Sequence, residues 1–343
     1  MKIWMRIGRA NLTNGGRSVY GIPISYDEVI EAFNLHGIEC ISEYPEGDNI
    51  STRQFIPSNL DDYMTMWYGD PLLWDIKRPY EHGVVGYTQC MEINLNQGFI
   101  DSMNKCDAIF VASEIAKQSF KNQLSVPVYK IFGGYKPSQF YYIERDFQIS
   151  PFVFLHVGAT DWRKGSAEAC VAFAKAFKNE DVELHIISPG ATPMFNALET
   201  VFRYEKRIKF IDKVVSDRMA MIDEYYREGH CLVYPSLGEG WGRCLPEAMA
   251  TGLPAIVSRV SAMLETFNPD AGWWVDMQTE TNNGCFSVDV NDLADKMYEA
   301  YHSRDRLPGM ATFAASYAKE HLTWDKGIEE AKPILERIYN GDN

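Results

Sequence analysis

Cysteine pairing is missing from this chain. Its seven cysteines, Cys40, Cys90, Cys106, Cys170, Cys231, Cys244 and Cys285, are odd in number, scattered, and never spaced as a CxxC pair. That excludes a zinc knuckle and a disulfide framework, and it leads us to expect a reducing, cytoplasmic setting. No apolar run approaches the roughly 18 residues of a membrane span, and the start, MKIWMRIGRANLTNGG, lacks the apolar core of a secretory signal. A soluble, unprocessed protein without a membrane span is therefore expected. Positive charge is in deficit: 33 Lys and Arg face 47 Asp and Glu, for a net charge of −14. Such a balance excludes a broad nucleic-acid-binding surface, although a local basic pocket could still take one phosphate. Repeats of 20 to 50 residues and low-complexity segments are also absent.

What is present is an ordinary globular composition, 46% hydrophobic and 23% charged, over 343 residues. At roughly 150 residues per domain that is about two domains. Short apolar runs alternate with amphipathic stretches, as in repeated strand-helix units around a parallel sheet. In the first half, strands are expected at 2–8, 37–42, 83–88, 108–113 and 127–132, with helices at 26–36, 95–106 and 114–124. In the second half they are expected at 152–158, 182–188, 207–212, 230–236 and 254–258, and three helical patterns follow from Asp292 onward. Between the two series lies GGYKPSQFYYIERDFQISP, rich in turn formers. The expected division is 1–147, 148–325, and a final helix at 326–343.

Doubly wound sheets bind ligands at the carboxyl ends of their strands, so chemistry is sought in the loops there. After the strand at 230–236 comes SLGEGWGRCLPEAMATGLP. Gly240 and Gly242 keep Glu239 on a loop, while Pro246 suits a first helical turn and places Glu247 in it. Two carboxylates thus flank one helix start, where unpaired N–H groups favour a phosphate and the glycines allow close approach. The carboxylates themselves suit hydroxyls, as on a sugar or a ribose. After the strand at 152–158 comes GATDWRKGSAEAC, which sets Arg163 and Lys164 at a strand-to-helix turn where a cation can stabilise a phosphate leaving group. After the first strand, Asn14, Gly15 and Gly16 form a glycine-rich loop without the GxGxxG spacing of a dehydrogenase. His82 and Glu92 flank the strand at 83–88. Trp273 and Trp274 read as packing residues.

The segment E-G-W-G-x-x-x-P-E-A-M-A-x-G-x-P, with Glu239 and Glu247 eight positions apart, resembles the double-glutamate signature of retaining nucleotide-sugar glycosyltransferases of family 4 (group 1). Lys164 and Gly165, in register with Gly158, are similar to that family's phosphate loop, with Ala159 where the family usually has Arg and Arg163 as a candidate substitute. The resemblance extends over the carboxyl half and is weak in the first eighty or so residues. It implies an α/β GT-B fold: two Rossmann-like doubly wound parallel-sheet domains facing a cleft, with a C-terminal helix crossing back to the first.

By the same resemblance, a sugar passes from a nucleoside diphosphate donor to an acceptor left open by the sequence, with retention and without metal or further cofactor. No Asp-x-Asp is present to chelate a metal. Glu239 and Lys164 would be catalytic. Arg163, Gly240, Trp241, Gly242, Arg243, Cys244, Leu245, Glu247, Gly15 and Gly16 would hold the donor, and His82 and Glu92 would face the acceptor. The rival reading is a catalytically silent scaffold or partner subunit built on the same fold.

Overall fold

The computed structural model describes residues 1–7, 22–42, 59, 62–76, 82–89, 94–131, 133–215, 220–279 and 286–342. They divide into two units, Met1–Tyr135 with Thr323–Asn343, and Lys136–Leu322.

The first unit carries β1 (Lys2–Ile7), α1 (Ile22–Leu35), β2 (Glu39–Ser42), β3 (Met64–Tyr68), β4 (Val84–Thr88), α2 (Gln97–Met103), β5 (Ala108–Val111), α3 (Glu114–Lys121) and β6 (Val128–Lys130). Its six strands pair in parallel in the order β2-β1-β3-β4-β5-β6. The strand β3 has no counterpart among the expected ones. Met64–Tyr68 reads MTMWY, with Thr65 its only β-branched residue, so it lacks the Val and Ile that mark the other buried strands.

The second unit carries β7 (Phe152–Val157), α4 (Ser166–Ala176), β8 (Val182–Ser188), α5 (Pro193–Val201), β9 (Ile208–Asp212), β10 (Cys231–Tyr234), α6 (Cys244–Ala250), β11 (Ala255–Ser258), α7 (Met263–Thr266) and β12 (Gly272–Val275). The antiparallel pair β13 (Met277–Thr279) and β14 (Phe286–Val288), then α8 (Val290–His302) and α9 (Leu307–His321), complete it. Six strands again pair in parallel, in the order β12-β11-β10-β7-β8-β9. Counted from β7 this is the doubly wound order 6-5-4-1-2-3, which reverses between β7 and β10. The loops after those two strands therefore diverge from a shared point, where such sheets bind ligands. On one face, Ala169, Cys170, Ala172 and Phe173 of α4 meet Leu293, Ala294, Met297 and Ala300 of α8 in one core. Trp273 of β12 is buried in that core, while Trp274 packs edge-on against Phe267 at 4.8 Å.

The last helix, α10 (Trp324–Asn340), belongs to the first unit although it ends the chain. Trp324, Ile328, Ala331 and Leu335 recur at helical spacing and enter the core beside Tyr26, Val29 and Phe33 of α1. The Trp324 indole also donates to the buried Glu28 carboxylate at 3.0 Å. Both chain crossings differ from the expected ones. Residues 136–147 belong to the second unit, because Ile143 N donates to Thr251 O (3.1 Å), Phe140 packs on Tyr226, and Phe147 sits in the second core. On the return, Thr323 bridges to Tyr135 and Trp324 fills the first core, so the crossing comes at 322 rather than 325.

Two histidines of the second unit are buried in neutral form. His156 of β7 donates from Nδ1 to Val233 O (3.0 Å) and accepts from Ser166 Oγ at Nε2 (2.8 Å). His230 accepts from Val153 N (2.9 Å). Burial pushes each down to about 4 from an ordinary 6.5. A depressed histidine makes unfolding take up a proton between those values, so its contribution is present above pH 6.5 and is lost as pH falls toward 4. The denaturant midpoint should drop between about pH 7 and about pH 5, and less so in His156→Gln. An undiminished drop in that variant would locate the proton uptake elsewhere.

Candidate active site

The loop after β7 runs Gly158-Ala159-Thr160-Asp161 into a single 3-10 turn, Trp162–Lys164, before α4. Asp161 caps that turn, its carboxylate accepting from Lys164 N at 3.0 Å. Gly165 then takes φ +69°, and a Cβ there would lie 2.1 Å from Pro235 O, so the loop after β7 lies flush against the loop after β10. Backbone and side chains join the two. Leu237 N donates to Arg163 O at 2.7 Å, and the Arg163 guanidinium donates to Gly238 O at 2.9 Å.

At this seam the Glu239 carboxylate is 6% exposed and receives four groups. Lys164 Nζ (2.6 Å), Ser236 Oγ (2.8 Å) and Tyr234 OH (2.9 Å) converge on Oε1. Arg163 reaches Oε2 at 2.9 Å. Burial alone would raise the Glu239 carboxyl, but the charges of Lys164 and Arg163 outweigh it and hold the group down to about 2. Three donors fill Oε1, whereas Oε2 has one partner among the described residues and keeps room for another hydroxyl. The backbone of Glu239 is fixed as well. Its N–H donates to Oγ of Ser261 at 2.8 Å, and Ser261 adopts φ +47°, rare for a residue with a side chain. Gly242, at φ +79°, closes the turn under Met263, whose Cε would lie 2.4 Å from an added Cβ.

Glu247 lies one turn into α6 and is 1% exposed. Its Oε2 accepts from Tyr226 OH at 2.8 Å, and its Oε1 accepts from Arg243 Nε. Tyr226 ends a π-helical turn, Ile222–Tyr226, in which Arg227 N donates back five residues to Ile222 O. Burial and the adjacent Glu247 charge push the Tyr226 phenol well above its usual range, so it stays a donor. Cys244 opens α6, and burial pushes its thiol up to about 11.

Of the expected catalytic and donor residues, Lys164, Arg163, Glu239, Gly240, Trp241, Gly242, Arg243, Cys244, Leu245 and Glu247 thus lie on the loops after β7 and β10 and on α6. His82 lies in the first unit, stacked on Tyr339 of α10 at 4.1 Å with Nδ1 2.9 Å from the Tyr339 carbonyl. Gly15, Gly16 and Glu92 lie outside the described residues. Sequence reasoning missed Tyr234, Ser236, Tyr226 and Ser261, all hydroxyl donors or acceptors around the two glutamates. The only signal for Tyr234 and Ser236 was their place beside Pro235, where an apolar strand gives way to the loop.

Residues 151–303 match the family model described as Glycosyl transferases group 1. No curated protein matches the chain by sequence. Among solved structures the chain is similar to a sucrose-phosphate synthase from Thermosynechococcus elongatus, with TM-score 0.74 and 15% identity over 99% of each chain. It is similar to HepE from Anabaena, solved with UDP and glucose, with TM-score 0.70 and 13% identity over 98% of this chain and 99% of that one. A glycosyltransferase from Rickettsia africae ESF-5 gives TM-score 0.68 and 13% identity over 98% of each. The fold is therefore GT-B, two Rossmann-like domains, with the group 1 match lying in the second. No helix among the described residues is long and apolar enough to cross a membrane.

A buried carboxylate held at about 2 supports the fold above its ordinary 4.5 and loses that support as pH falls toward 2. Glu239→Gln leaves Lys164 without its counter-charge and Arg163 with only the more distant Asp161, at 3.9 Å. It should therefore cost about 3 kcal/mol of stability at neutral pH, in the range for breaking a buried ion pair. The deficit should shrink toward acid, where the wild-type carboxylate is also protonated. Denaturant titrations across that range check this, and a deficit independent of pH would mean that the charge on Glu239 is not its source.

Proposed function

We propose that this protein is a retaining glycosyltransferase that moves a sugar from a nucleoside diphosphate donor to an acceptor hydroxyl. The observation that carries the reading is the meeting, at the β7/β10 reversal of the second sheet, of two cations with a buried carboxylate. It lies within the residues that match group 1 glycosyltransferases. The structure of HepE with UDP and glucose makes UDP the first nucleotide to try here.

In this reading the donor diphosphate lies along the loop at Gly242, Arg243, Cys244 and Leu245 and against Lys164. Lys164 Nζ has three N–H donors, of which Glu239 and Tyr234 engage two, so one is available to a phosphate oxygen. Arg163 stands in for the arginine that Ala159 does not provide, its charge lying beside the same carboxylate. Glu239 accepts a hydroxyl of the transferring sugar at Oε2, and Glu247 accepts from the ribose. As the sugar–phosphate bond breaks, negative charge grows on the leaving diphosphate and is met by Lys164. The leaving phosphate oxygen takes the proton of the acceptor hydroxyl on the same face of the sugar, so no protein base or nucleophile is needed and configuration is retained. Metal is not required, because the cations meet the charge. His82 and Glu92 are the candidates for the acceptor side and Gly15 and Gly16 for further donor contacts, and the setting is cytoplasmic.

Two measurements test this. With UDP-sugars and candidate acceptors, Lys164→Ala should lower turnover by about 10²-fold or more, the cost of removing one preorganised charge donor, and Arg163→Ala should lower it similarly. By calorimetry with UDP alone, Glu247→Gln should weaken binding whereas Glu239→Gln should leave it nearly unchanged, because its partner is on the sugar. Equal losses of affinity would contradict the division of roles. Wild-type protein that binds nucleoside diphosphates yet transfers no sugar to any acceptor would favour the silent-scaffold reading.

A further inference from the structure

Arg145 lies in the stretch that the sequence marks as linker, yet it makes the densest set of side-chain hydrogen bonds in the second unit's entry segment. Nε donates to Gly229 O at 2.9 Å. One terminal nitrogen donates to Ile143 O at 3.1 Å and to Thr251 O, and the other to Tyr226 O at 3.0 Å and Thr251 Oγ1 at 3.1 Å. Every acceptor is a neutral oxygen, and among the described residues no carboxylate pairs with this guanidinium. Burial pushes it down only to about 10, so it remains a cation at neutral pH. Three of its acceptors, Tyr226 O, Gly229 O and Thr251 O, trail two helical pieces, the π-helical turn ending at Tyr226 and α6 ending at Ala250, where a cation is favoured by the backbone dipoles.

Those same two pieces share one further hydrogen bond, from Tyr226 OH to Glu247 Oε2 at 2.8 Å. Arg145 grips the backbone of Tyr226 at one end of this pair and that of Thr251, four residues beyond Glu247, at the other. We propose that Arg145 is a positioning residue for the donor nucleotide: by fixing the π-helical turn against the end of α6, it keeps the Tyr226 hydroxyl on Glu247 and so aims that carboxylate at the ribose. The proposal rests on the ribose reading of Glu247. Lysine keeps the charge, but its single nitrogen cannot span Gly229, Tyr226 and Thr251 together.

The experiment is a double-mutant cycle read by UDP calorimetry on the full chain, with wild type, Arg145→Lys, Tyr226→Phe and the pair. Each single change should weaken UDP binding about five- to tenfold, the size of one lost hydrogen bond, and the pair should be no weaker than the worse single variant. Arg145→Lys combined with Lys164→Ala, which lies outside this chain of contacts, should show multiplied losses. Where Arg145→Lys does not fold, Thr251→Val removes one of its acceptors and should show a smaller loss with the same non-additivity against Tyr226→Phe. A lowered melting temperature with unchanged UDP affinity, or multiplied losses in the Arg145–Tyr226 pair, overturns the assignment and leaves Arg145 a structural clamp. Wild type that binds none of UDP, GDP and ADP overturns the nucleotide reading itself.

Discussion

One ionised carboxylate, withdrawn from water and gripped by two cations, sets the terms for the whole second unit. Moving a charge out of water costs several kcal/mol, and a partner offsets that cost only where the geometry is good and the remaining lone pairs are satisfied. Glu239 meets both conditions because Lys164 and Arg163 arrive on one loop, Tyr234 and Ser236 on the strand end before it, and Ser261 on the next loop. Three separate βα connections must therefore stay in register for one residue, two for its carboxylate and one for its N–H. The close approach that this demands accounts for Gly165 against Pro235 and for Gly242 beneath Met263.

The charges of the site nearly cancel before any ligand arrives. Lys164, Arg163 and Arg243 stand against Glu239, Asp161 and Glu247, in a chain whose net charge is −14. Such a site offers no long-range attraction to a dianion. In the reading proposed above, recognition of a diphosphate then comes from short contacts, such as the third N–H of Lys164, rather than from a surrounding field.

The parts of this arrangement that were legible in the sequence are those that break a rule of local pattern. Glu239, Gly242, Pro246 and Glu247 interrupt what would otherwise be an apolar strand followed by a helix, and Lys164-Gly165 sits where a strand turns into a helix. Tyr234, Ser236 and Tyr226 break no rule: a tyrosine in an apolar run reads as core, and nothing in the pattern says that its hydroxyl will find a carboxylate. Strand β3 escaped notice because MTMWY carries no Val or Ile, the residues that mark the other fully buried strands. The domain boundary was misplaced by about a dozen residues because the turn formers around Pro137 look like a linker, whereas Ile143, Arg145 and Phe147 tie that stretch to the second unit by contacts with residues 81 to 108 positions away.

The return of α10 to the first unit has a consequence for the order of events on the ribosome. Domains usually fold in the order in which they are made. Here the amino-terminal sheet, though synthesised before the second unit, has a core that includes Trp324, Ile328, Ala331 and Leu335, so it stays unfinished until α10 joins it. The second unit is encoded by one uninterrupted stretch, from Lys136 to Leu322. The amino-terminal sheet is thus left with apolar strand faces in need of cover until a helix encoded after the whole second unit reaches it.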